Sequence, residues 1–104
     1  MGKMSKNKGK RGELELSHWL TKRGHPARRG QQFQGSPDSP DVICESLPFH
    51  IECKRTEALR IYDALEQAQE DSDLPGVVFH RRNSRDWLVV LDADDFLGLL
   101  NVKS

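Results

Sequence analysis

Apolar residues recur along this chain with two different periods, and the changes between them mark out its elements. Residues 1–8 are Lys-rich, with Gly and Ser and no apolar residue besides Met1 and Met4, and read as a flexible basic arm. Over residues 9–23, Leu16, Trp19 and Leu20 fall at helical spacing, and Gly24 follows as a natural C-cap. Residues 25–33 suit a short edge strand, and residues 34–40, rich in Gly, Ser and Pro, suit a loop. Residues 41–44 and 49–55 read as two strands joined by the turn Glu45-Ser46-Leu47-Pro48. Ala58, Leu59, Ile61, Tyr62, Leu65 and Ala68 mark a second amphipathic helix, ending near Asp73 before Pro75-Gly76. Residues 77–80 and 87–91 are strands around a polar turn, and residues 92–100 form a short helix with Asp92 or Asp94 as N-cap. This order predicts an α/β fold, a mixed β-sheet flanked by helices.

The hairpin carries more information than the other elements, because its turn sets which residues face each other. With the loop centred between Ser46 and Leu47, Asp41 pairs opposite Glu52. Strand alternation then places Asp41, Ile43, His50, Glu52 and Lys54 on one face, and Val42, Cys44, Phe49, Ile51 and Cys53 on the other. The second set is apolar if thiols count as apolar, which supports the register and assigns that face to the core.

Composition adds the chemistry. The chain has 104 residues, room for one small domain, and only 36% are apolar; so thin a core suits pairing with a second copy. The zero net charge hides an asymmetry. Residues 1–40 hold nine Lys and Arg against three acids, and the remainder holds seven against thirteen. A basic half beside an acidic one suits a protein that grips a phosphate backbone. Neither a secretory h-region nor an apolar run able to span a membrane is visible, so a cytoplasmic protein with reduced Cys44 and Cys53 is expected.

Two carboxylates converging on one strand pair repel each other unless a cation lies between them, and oxygen ligands suit magnesium or manganese. A neighbouring Lys can position a water and balance charge on a phosphoryl group, so phosphodiester hydrolysis fits. An exposed ladder of ion pairs, Asp41 and Glu52 with Lys54 or Arg55, fits the same residues equally well. Zinc does not fit: Cys44 and Cys53 lie on the opposite face from His50, and a fourth ligand is missing.

Pro40-Asp41 followed by Glu52-Cys53-Lys54 resembles the signature of the PD-(D/E)XK nuclease superfamily. The resemblance implies a restriction-endonuclease-like core, with Asp41, Glu52 and the Cys53 backbone carbonyl binding Mg2+, for which Mn2+ would substitute, and Lys54 serving the hydrolytic water. Residues 8–16, continuing through Leu20 to Gly24-His25, look like the opening helix of archaeal-type Holliday junction resolvases and their phage relatives. That narrower resemblance spans residues 8–90 and implies a homodimeric endonuclease acting on branched DNA, with residues 9–104 as its nuclease domain. It also implies that Glu13 completes the metal site. Helical geometry alone leaves Glu13 and Glu15 open, since each flanks the apolar stripe. Gln67 matches a Gln of the superfamily that orients the Lys or the water, and an exposed helical Gln is the plainer reading.

Lys3, Lys6, Lys8, Lys10, Arg11, Arg28 and Arg29 are the phosphate-contact candidates, with Ser36 in the loop. His50 lies beside Glu52 on the charged face, where a neutral imidazole could relay a proton. Two other functions fit the residues: a less selective nuclease of the same superfamily acting on flaps, nicks or ends, and a DNA-binding module that keeps the fold without catalysis.

Overall fold

The computed structural model describes residues 2–30, 40–70 and 72–100, with the side chains of residues 2–8 left out. Three helices and five strands follow in the order α1 (Gly2–Lys22), β1 (Arg28–Arg29), β2 (Val42–Ile43), β3 (His50–Lys54), α2 (Ile61–Gln69), β4 (Gly76–His80), β5 (Leu88–Val90) and α3 (Ala93–Leu100). The strands form one mixed sheet in sequence order, antiparallel except where β3 and β4 run parallel through the α2 crossover. The α/β class and the mixed sheet are as the sequence pattern predicts.

α1 begins at Gly2, so the segment expected as a flexible arm continues the helix instead. Lys, Met and Arg are good helix formers, and no proline interrupts the run before Pro26. Its other end matches the expected cap. Gly24 takes φ +93°, its N–H bonds to the Thr21 carbonyl at 3.1 Å, and the His25 N–H bonds to the Leu20 carbonyl at 2.9 Å. These two bonds make a Schellman motif, in which glycine relieves the steric cost of the left-handed residue. α2 starts at Ile61, three residues later than the apolar pattern suggests. α3 is capped by Asp92, whose Oδ1 accepts from the Asp94 N–H at 2.8 Å.

The β2–β3 register pairs Val42 with Ile51, which is the pairing the turn predicts, and Leu47 N–H closes the turn on the Cys44 carbonyl at 3.0 Å. Leu16 and Leu20 of α1 pack on Val42, Cys44 and Ile51, together with Val77, Phe79 and Trp87. The expected core face is therefore the buried one. The charged face is covered as well: Ala64 and Ala68 of α2 pack with Val78, and His50 and Glu52 are themselves buried. Pattern reasoning treats the hairpin as half exposed, but pairing with β4 moves β3 to the middle of the sheet, where a helix covers each side.

Ile51 is fully buried between β3 and α1. Replacing Ile51 with Ala is expected to cost about 2–4 kcal/mol, through lost transfer energy and the cavity left behind. Urea unfolding measures it, and a loss near the ~0.5 kcal/mol of a surface substitution would contradict this packing. None of the described helices is long and apolar enough to cross a membrane.

Candidate active site

β2 and β3 bring the hairpin residues together at one end of the sheet. Asp41 N–H bonds to the Ile51 carbonyl at 2.9 Å, and Asp41 Oδ2 accepts from the Cys53 N–H at 2.9 Å. The Asp41 carboxylate thus takes the ladder position just ahead of the first residue of β2. An extended residue turns its N–H and C=O to the same edge, so the Cys53 carbonyl also lies on the Asp41 side of β3. Glu52 faces the other layer, 9% exposed, with His50 Nε2 at 3.2 Å from its Oε2.

Two close approaches set this arrangement. A Cβ on Gly12 would lie 2.7 Å from the Arg55 Cβ, so only glycine lets α1 approach the end of β3 this closely and bring Glu13 to the strand pair. A Cβ on Gly30 would overlap the Pro40 carbonyl oxygen, and the Gly30 N–H bonds to the Asp41 carbonyl at 2.8 Å. Gly30 thereby ties the β1 edge directly to the residue that carries the carboxylate.

The structure separates the two helix acids. Glu13 lies within electrostatic range of Asp41 and Glu52, and its Oε1 accepts from Arg29 Nε at 2.8 Å. Glu15 instead pairs with Arg55 at 2.9 Å and Arg81 at 3.0 Å, a network that ties α1 to β3 and to the segment after β4. Lys54 Nζ donates to Gln67 Oε1 at 3.1 Å, and Gln67 is exposed, as the plainer reading of a helical Gln expects. Buried Glu52 beside His50, Lys54 on Gln67 and Arg55 on Glu15 do not form an exposed charge ladder.

Burial pushes the Glu52 carboxyl up to about 8; the Asp41 and Glu13 charges add to the rise and Lys54 opposes it. Glu13 is also raised, by burial first and by Asp41, while Arg29 pulls it down. The Cys53 thiol is raised by burial and by the surrounding carboxylates, which leaves it protonated and unreactive.

Among the described residues, no three His, Cys, Asp or Glu side chains enclose a metal position as they stand. The donor set nevertheless fits a hard divalent cation. Asp41, Glu52, Glu13 and the Cys53 carbonyl are all oxygen donors, and the crowding that raises the carboxyls is what a cation relieves. Accepting one would exchange the Arg29 contact of Glu13 and the His50 contact of Glu52 for the ion.

Of the phosphate candidates, Lys10, Arg11 and Arg28 are exposed, and Arg29 is held by Glu13. Lys3, Lys6 and Lys8 lie on the first turns of α1, and Ser36 falls outside the described residues. Pattern reasoning missed the Arg29–Glu13 pair and the Glu15–Arg55–Arg81 network. Both join residues distant in sequence, and periodicity carries no signal of either. No protein-family model matches the chain, and searches of curated proteins and of solved structures return no significant match.

The Glu52 shift fixes a pH dependence. The unfolded carboxyl titrates near 4.5 and the folded one near 8, so between these values the folded chain keeps a proton that the unfolded chain has released. Stability is then fully present below the unfolded value and is lost as pH rises through the folded one. In metal-free solution the thermal midpoint should fall across that window, and Glu52→Gln should flatten the fall. Parallel profiles for wild type and variant would remove Glu52 burial as the cause.

Proposed function

We propose that the chain is a divalent-metal-dependent endonuclease that hydrolyses phosphodiester bonds in DNA, with four-way junctions and related branched DNA as its substrate. One observation carries the reading: Asp41, Glu52 and Lys54 meet at the end of one strand pair, with Glu13 brought in by α1 and Gln67 placed on Lys54 by α2. The helix, three strands, helix and further strand that run from α1 to β4 are also the element order expected of a restriction-endonuclease-like core.

Asp41, Glu52, Glu13 and the Cys53 carbonyl would hold Mg2+, which Mn2+ would replace. Once bound, the ion supplies charge for the phosphodiester oxygens and a nucleophilic water at neutral pH. The protein groups do the rest. Gln67 fixes the Lys54 ammonium, which orients the attacking water and offsets negative charge as the phosphorus–oxygen bond to the leaving sugar breaks. The Glu15–Arg55–Arg81 network holds β3, and with it Lys54, in place. Exposed Lys10, Arg11 and Arg28, with the lysines at the start of α1, supply the phosphate contacts. Nothing in the pattern suggests base readout, and a junction is recognised by shape.

The test is cleavage of a labelled four-way junction beside linear duplex, flap and single strand, in Mg2+ and in EDTA. Symmetric nicks confined to the junction are expected. Lys54→Ala should slow them at least about 100-fold, the scale of a lost donor that stabilises developing charge. Asp41→Asn should abolish cutting while the junction is still bound in a gel-shift assay. Cutting of every substrate would replace the junction enzyme with a general nuclease. Binding without cutting in any divalent metal would make the chain a non-catalytic DNA-binding module.

A further inference from the structure

Glu15, Trp19 and Arg23 follow one another at four-residue spacing along the second half of α1 and its final turn, which places them on one face. Arg23 lays its guanidinium over the Trp19 indole, 4.0 Å from the ring centroid, and donates from Nη1 to the Trp19 carbonyl at 3.3 Å. The bond holds the guanidinium as a flat charged plate on an exposed residue. Together the two side chains wall a cleft of about 440 Å3 between α1 and the segment that joins β4 to β5. Trp87 forms another part of the wall and is only 8% exposed. Among the described residues, its Nε1–H is the one buried side-chain donor without a partner. A buried indole N–H normally finds an acceptor, and Glu15 in the same wall is already spent on Arg55 and Arg81. Trp19, Arg23 and Trp87 take no part in the cleavage chemistry proposed above.

We propose that this cleft binds an unpaired nucleobase of a single strand of nucleic acid. Its volume falls in the range of small-ligand sites, about 300–1,000 Å3, and leaves room for one base with its sugar. A planar guanidinium backed by an indole is a stacking platform for any base, since every base has a π-face. A base carbonyl supplies the acceptor that Trp87 lacks, and exposed Asp86 at the rim accepts from a base N–H. Exposed Lys22, also at the rim, meets the flanking phosphate. The cleft adjoins the strand end that carries Lys54, because Glu15 bonds to both Arg55 and Arg81. On the nuclease reading, a base left unpaired near a branch point docks here, but the chemistry of the cleft does not depend on cutting.

The experiment follows the intrinsic tryptophan emission of the full chain, titrated in EDTA with a short oligothymidylate, an oligouridylate and an abasic oligomer of equal length. The chain holds two tryptophans and both line the cleft, so a bound base is read there directly. Saturable quenching by the base-bearing strands is expected, with the abasic strand binding at least about 5-fold more weakly. The tighter of the two base-bearing strands assigns DNA or RNA as the source. Arg23→Ala should weaken binding roughly 5- to 100-fold, the range of one lost base stack. Arg23→Lys keeps the charge and loses the plate, so it should weaken binding to a similar extent. Far-UV circular dichroism checks that both variants, altered at an exposed position, remain folded. An absence of saturable quenching overturns the proposal. Equal binding of the abasic strand reduces the cleft to a phosphate contact and also overturns it, as does full affinity in Arg23→Lys. A chain that binds these strands in this way yet cuts no DNA in any metal loses the nuclease reading and keeps the cleft.

Discussion

β3 is paired on both edges and covered on both faces, and each part of the site takes its position from that confinement. β2 and β4 hold its backbone, α1 packs on Ile51, and α2 closes over His50 and Glu52. A strand so enclosed cannot slip by one residue, because a slip would carry Ile51 into the charged layer and Glu52 into the α1 core. The same confinement explains why Cys53 N–H can serve Asp41: β2 starts only at Val42, and the carboxylate completes the ladder in place of a backbone carbonyl.

Enclosure also creates the electrostatic problem that the site embodies. A carboxyl placed under a helix, within range of two more, favours its protonated form, as the Glu52 value near 8 reflects. Lys54 offsets part of this and is itself steadied by Gln67. An apolar residue would fit the space under α2 with less strain, so a buried acid there works against stability. On the proposed reading, cation binding reverses that cost and couples metal affinity to folding.

Much of the architecture was legible in the chain. The hairpin register followed from a turn centre and strand alternation alone, because a wrong register would expose Val42 and Ile51 together. The α1 cap followed from Gly24, since only glycine takes φ +93° at no steric cost. The expected arm at residues 1–8 was misjudged because low hydrophobicity was weighed above helix propensity, and α1 runs on through Gly2. The covering of the charged face was not legible, because alternation describes one strand pair and is silent about what lies over it.

The sequence by itself determined local geometry: periods, caps, the hairpin register, and with them which of Asp41, Glu52 and Lys54 share a strand pair. These depend on backbone sterics and on neighbours a few residues away. Only the tertiary structure shows that Glu13 lies near Asp41 and Glu52 while Glu15 pairs with Arg55 and Arg81, because both flank the same stripe of α1 and their partners are distant in sequence. It likewise decided that Gln67 meets Lys54, that Arg29 is spent on Glu13, and that Glu52 is buried. Those facts depend on the parallel crossover that lays α2 over β3 and on how closely two helices approach one sheet, distances that no spacing along the chain encodes.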